Sequence, residues 1–276
     1  MKYRFMRYPG FLAKAFTVSY DDGKNQDRRL IEILRKNGIK GTFNIGGWVF
    51  NGREGHIPFD EIKSLYDGFE LAIHGTQHKA LVNCTAVEGI DEVLSCRKTL
   101  EKTLGKIVRG FAYPDRSLLS SAKYPEIEAY LQMLGILYAR CGGGTEKFAL
   151  PENLLQWHPT AKHDSPALFD LCERFFAENP DEKYIASRDP LLFFVWGHSY
   201  ECDGMWDKIE DFYAKIGGRA DIWYASCEEL VLYKKAYESL VSSADGSIIY
   251  NPTLYDIFFV CDGKKIKLAP GETVIL

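Results

Sequence analysis

From its start to about residue 235 the chain alternates short apolar runs with longer amphipathic stretches. That alternation constrains the fold more than any other feature, because it predicts β–α units wound around a parallel sheet. The apolar runs read as strands over Ala15 to Tyr20, Gly41 to Ile45, Phe69 to Ile73, Val108 to Tyr113, Ile136 to Arg140, Leu154 to Trp157, Leu191 to Trp196 and Asp221 to Ala225. Helical spacing of apolar residues marks Asp27 to Asn37, Val87 to Leu104, Ala167 to Glu178 and Glu228 to Leu240. Seven or eight such units suggest an α/β barrel, a (β/α)7–8 arrangement whose chemistry would sit just after the strands. After the turn-rich joint Ser242-Ser243-Ala244-Asp245-Gly246 the pattern changes to short β-like runs, with Asp262-Gly263 as a hairpin signal. The division expected is a barrel over 1–240 and a small C-terminal β extension over 246–276, without catalytic residues.

A chain of 276 residues, 46% of them hydrophobic, can bury a large core without disulfides. The formal net charge of -4 gives no electrostatic footprint for nucleic acid or an anionic membrane. Seven cysteines without a C-x-x-C pair fit reduced thiols. The N-terminus has no apolar run long enough for a signal peptide or a membrane span. As written the chain reads as cytoplasmic, although removal of a leader would leave no trace and secretion stays open. Oligomeric state is not legible.

Polar residues collect at the predicted strand ends: Asp21-Asp22, His74, His78, His158 and His198. Adjacent carboxylates after a buried strand call for compensation, and a divalent metal supplies it; the same Asp-Asp-Gly also suits a plain polar turn. His74-Gly75-Thr76-Gln77-His78 puts two imidazoles at i and i+4, where one helical turn would aim both at one ion. Two histidines with one aspartate would leave open coordination positions, as catalysis requires.

Phe16-Thr17-Val18-Ser19-Tyr20-Asp21-Asp22-Gly23 resembles the T-F-D-D-G motif of the NodB-type polysaccharide deacetylases (carbohydrate esterase family 4). His74 to His78 resembles their H-[ST]-x-x-H motif, in the family's order, and the resemblance spans roughly residues 10 to 235. It implies a distorted β/α barrel, Asp21 as general base, and Asp22, His74 and His78 as ligands of one divalent metal, zinc first and cobalt, nickel or manganese as alternatives. Phe193-Phe194-Val195-Trp196-Gly197-His198 resembles the fifth motif and implies His198 as general acid.

Two motifs depart from the pattern. Where the family has R-x-P-Y-G, this chain reads Phe111-Ala112-Tyr113-Pro114-Asp115, so the arginine that orients the base is missing. Arg109 or Arg116 could replace it or lie on the surface; Tyr113 and the backbone N–H of Asp115, an oxyanion donor by resemblance, are support candidates. The aspartate-rich fourth motif gives way to Gln156-Trp157-His158. Trp157 and His158 read either as a sugar-stacking wall with a polar contact or as a core tryptophan beside a bonded histidine. Glu201 and His158 are the candidates for orienting His198, Trp196 lies beside it, and His56 and His163 read as surface residues. The expected reaction is metal-dependent removal of N- or O-linked acetyl groups from a carbohydrate. The alternatives are an amidohydrolase acting on a small non-sugar amide, as in allantoinase-like relatives, and a non-catalytic carbohydrate-binding protein.

Overall fold

The computed structural model describes residues 3–114, 121–184 and 187–276. The elements in chain order are β1 (Arg4–Arg7), β2 (Lys14–Asp21), α1 (Asp27–Lys36), β3 (Thr42–Ile45), α2 (Gly47–Phe50), α3 (Ile62–Leu65), β4 (Glu70–Ile73), α4 (Ala86–Leu104), β5 (Gly110–Ala112), α5 (Tyr124–Met133) and β6 (Tyr138–Arg140). They continue with β7 (Ala161–Lys162), α6 (Leu168–Ala177), β8 (Leu191–His198), α7 (Trp206–Ile216), β9 (Ile222–Tyr224) and α8 (Cys227–Glu238). The tail adds β10 (Val241–Ser242), β11 (Ile248–Tyr250), β12 (Ile257–Cys261), β13 (Lys264–Leu268) and β14 (Thr273–Ile275).

An eight-stranded sheet runs β6-β5-β4-β3-β2-β8-β7, every pairing parallel, with β9 also on β2. β2 is its centre. All eight of its residues are buried, as a parallel strand covered on both faces requires. β8 pairs with it from Lys14↔Leu191 to Asp21↔His198. On its other edge β9 takes the first half of β2 and β3 the second, so the sheet forks there and curls. Residues 157–163 approach both margins of the curl: Trp157 bridges to β6 and His163 donates its backbone N–H to Trp196 on β8. Helices α4 and α8 start on reciprocal capping boxes, Thr85 with Glu88 and Ser226 with Glu229.

The α/β barrel expected from the sequence is therefore the observed fold, with the sheet curled and distorted. Two readings change. Leu154 to Trp157 is not a strand: Leu154–Gln156 form a 3-10 turn, because Asn153 accepts from the Leu155 N–H and stops extension. Helices α5 and α7 went unread, α5 for its weak apolar stripe. The tail strands fall in two small sheets, and one of them, β1-β12-β13, takes in the N-terminal strand β1. The seven cysteines are all buried, and none forms a disulfide among the described residues. Among those residues no helix is long and apolar enough to cross a membrane.

Candidate active site

The C-terminal ends of β2, β4, β6 and β8 converge on one cleft of about 60 Å³, lined by Asp21, His74, Arg140 and His198 among others. A larger hollow of about 380 Å³ lies by Arg4 and Tyr237, but among the described residues it holds no metal-ligand set.

The last residue of β2 is Asp21, 2% exposed and directly paired in register with His198. Its Oδ1 accepts from Asn44 Nδ2 at 2.8 Å and its Oδ2 from a guanidinium N–H of Arg140. Burial alone would raise the Asp21 carboxyl; Arg140 first, then His74 and His198, outweigh it and hold the group below its usual range. Arg140 ends β6, is 1% exposed, and lies 4.7 Å from the centroid of the Trp196 ring. The indole N–H of Trp196 donates to the Gly143 carbonyl at 2.5 Å.

Asp22 takes a left-handed backbone conformation, φ +80°; such a backbone costs about 1–3 kcal/mol and recurs at functional sites. Its Oδ1 is buried without a hydrogen-bond partner and stands 3.5 Å from Nε2 of both His74 and His78. His74 Nδ1 donates to the Ala112 carbonyl at 2.9 Å, so its Nε2 presents a lone pair. The two Nε2 atoms are 3.2 Å apart, and the three candidate ligand atoms lie within 4.8 Å of one another. The His78 imidazolium is disfavoured by burial and then by the neighbouring His74, which leaves a neutral ring suited to a metal.

The His74–His78 segment is not the helical turn its spacing predicted. It is a loop with left-handed Gly75 and His78, held by Glu92 of α4, whose Oε1 accepts the N–H groups of Gln77 (2.7 Å) and Lys79 (3.0 Å). Gly47 permits it, since a Cβ there would fall 1.6 Å from the Thr76 carbonyl oxygen. The loop brings together what the helix was expected to bring together.

His198 donates from Nδ1 to Glu201 Oε2 at 3.1 Å, and its Nε2 stands 3.8 Å from Asp21 Oδ2. Burial disfavours the imidazolium, but Glu201, then Asp21 and Asp22, outweigh it and lift His198 above the usual histidine range. The same Glu201 oxygen lies 3.3 Å from His163 Nε2, while its Oε1 accepts from Lys162 Nζ at 2.7 Å. Burial would raise the Glu201 carboxyl, and these three donors hold it far below its ordinary value.

The polysaccharide deacetylase family profile matches residues 11–134, from the approach to β2 through the end of α5. Over that segment the chain is similar to the polysaccharide deacetylase family. The matched segment carries Asp21, Asp22, His74, His78 and Tyr113, while Arg140 and His198 lie beyond it. No curated protein matches the chain significantly. Among solved structures, a Mycobacterium smegmatis protein assigned as a polysaccharide deacetylase is 16% identical over 84% of this chain and 93% of its own, with a TM-score of 0.57. A variant of the peptidoglycan deacetylase PdaC of Bacillus subtilis is 15% identical (82% and 94% covered, TM-score 0.48). A carbohydrate esterase family 4 pseudoenzyme of Bacillus anthracis is also 15% identical (82% and 68% covered, TM-score 0.46). The first establishes likeness of fold.

The support residues sort differently from the sequence reading. Trp157 is 1% exposed, packed edge-on to Tyr138 and against Phe194; it is a core residue and cannot face a sugar. His158 Nδ1 lies 3.4 Å from the Gly142 carbonyl, and no contact with His198 is seen. Tyr113 lines the cleft while its hydroxyl donates to the Leu155 carbonyl. Asp115 and Arg116 lie outside the described residues. Arg109 stands by Glu228, and the arginine that pairs with Asp21 is Arg140. His163 and His56 are buried, not on the surface. Asn44, Arg140 and His163 were missed; a polar residue inside or ending an apolar run was the signal available for the first two.

Proposed function

We propose that the chain is a metal-dependent hydrolase that removes an N- or O-linked acyl group, acetyl in the first instance, from a carbohydrate. The observation that carries this reading is the Asp22 Oδ1 atom, buried, without a hydrogen-bond partner and facing two imidazole nitrogens, one of them on the His74 that lines the cleft with Asp21 and His198. A desolvated carboxylate facing two imidazole nitrogens fits a divalent cation, with Asp22, His74 and His78 as the residues that would hold it. When bound, such a cation polarises the acyl carbonyl and acidifies the attacking water; zinc suits this N,N,O set, and cobalt, nickel or manganese are compatible.

Asp21 accepts the proton of the attacking water. Asn44 and Arg140 hold its two oxygens in place, and the low proton affinity imposed by Arg140, His74 and His198 keeps it ionised and ready to act as a base. His198 donates a proton to the departing nitrogen or oxygen. Glu201 fixes its tautomer by accepting from Nδ1, which leaves Nε2 toward the cleft, and its raised proton affinity suits an acid. The experiment is acetate release from a panel of acetylated oligosaccharides, N- and O-linked, with the metal content of the purified protein measured alongside. Release by protein carrying about one divalent ion per chain is expected; a metal-free protein that turns over the panel, or a loaded one that turns over none of it, contradicts the reading.

A further inference from the structure

The mouth of the cleft is edged by a run of side chains that this chemistry leaves unused. Trp48, in α2, stacks on His78 with ring centroids 4.4 Å apart and planes 22° apart. On the opposite side Tyr200 lies 5.3 Å from the His198 ring. Lys24 closes the gap, its ammonium 5.7 Å from the Trp48 centroid and 5.4 Å from that of Tyr200. Arg53 lies over the same indole at 4.9 Å. The result is a collar that joins the metal-ligand side of the cleft to the acid side, with its positive charge at the centre and at one shoulder.

Two features say what the collar takes. The Trp48 indole is stacked on His78, flanked edge-on by His56 at 5.6 Å and approached by two cations, so it is not a free platform for a neutral sugar ring. Lys24 and Arg53 form no ion pair with a carboxylate among the described residues, whereas Arg28, Arg29 and Lys40 each have one. An ammonium against aromatic faces keeps its N–H donors, and a guanidinium keeps its fork for an oxyanion. The Lys24 backbone is anchored by an antiparallel bridge to that of His56.

We propose that Lys24 and Arg53 bind an anionic group carried by the acylated saccharide, so that the substrate is an acidic glycan with its charge close to the acyl group. The inference rests on the deacylase reading and is tested in two arms on the full chain. In the first, zinc-loaded protein releases acetate from a neutral N-acetylated oligosaccharide and from matched ones bearing a carboxylate or a sulfate. The charged substrates should show kcat/KM higher by about tenfold, an advantage that salt reduces. The double variant Lys24→Met/Arg53→Gln should abolish that ratio, chiefly through KM. In the second arm, calorimetry measures binding of the deacetylated products. The charged products should bind more tightly to the native protein and no more tightly than the neutral one to the double variant. Equal turnover and equal product binding for neutral and charged chains, or a charge preference that survives the double variant, overturns the proposal. If no substrate releases acetate while charged products still bind through Lys24 and Arg53, the anion site stands and the deacylase reading fails.

Discussion

The proposed base and acid, Asp21 and His198, are tuned in opposite directions by groups that can be removed singly. Arg140 is the first of the influences that overcome burial at Asp21. In Arg140→Met burial prevails, the carboxyl rises, and the acid limb of the pH–rate profile should move to higher pH with a loss of roughly 10²-fold or more near neutrality. Glu201 is the first of the influences that overcome burial at His198. In Glu201→Gln the imidazolium is weakened, so the alkaline limb should move to lower pH, most visibly on amides, whose leaving nitrogen needs the proton. Profiles of both variants on an N-acetyl sugar check the two shifts; an unmoved limb in either removes that assignment. Asp22, His74 and His78 were legible because each sits at or just beyond a strand end and the motif order joins them. Arg140 was not, because it is 119 residues from Asp21 and the run Tyr138-Ala139-Arg140 reads only as a strand and its exit. His163 sits in the polar run Lys162-His163-Asp164, and only the curl of β8 buries it.

At the scale of elements, the strands carry chemistry at one end and stability at the other. Glu70, Thr42 and Tyr138 open β4, β3 and β6, and they meet the first turn of α8. Glu70 accepts from the Tyr138 hydroxyl (2.7 Å), the Thr42 hydroxyl (2.7 Å) and the Glu228 N–H (2.8 Å). Gly110, opening β5, leaves room for them, since a Cβ there would meet the Tyr138 hydroxyl at 2.4 Å. Burial, ahead of all else, raises the Glu70 carboxyl from 4.5 to about 7. A carboxyl raised on folding adds stability that is complete below its unfolded value and lost as pH rises through the folded one. The chain should therefore lose a few kcal/mol between about pH 4.5 and 7 from this group. In Glu70→Gln the amide can still accept from Thr42 and Glu228 and donate to Tyr138, and denaturant midpoints across that range should flatten. An unchanged pH slope in the variant contradicts the assignment. The helices show the limit of pattern reading: α4, α6 and α8 carry clear spacing or capping signals, whereas α5 has little apolar stripe to see.

Across the whole molecule the tail is packed into the barrel's second hydrophobic cluster. Ile249, Ile257, Phe259 and Leu268 are essentially buried there with Phe194 and Trp157, and β12 pairs with the N-terminal β1. At about 1.5–3 kcal/mol for each such side chain, removing residues 246–276 forfeits on the order of the entire stability of a domain. We expect the truncated chain to be insoluble or molten by near-ultraviolet circular dichroism; a soluble, cooperatively folding truncation contradicts this packing. The tail's β character was legible from its short runs, but its union with β1 was not, because a pairing across more than 250 residues leaves no local pattern. The proposed chemistry of the cleft requires a divalent ion. The most direct measurement is the initial rate of acetate release from an N-acetylated oligosaccharide by protein stripped with a chelator and then reloaded with zinc or cobalt. Loss of activity on stripping and its return at about one ion per chain is the predicted result; an equal rate in stripped and reloaded protein would contradict it.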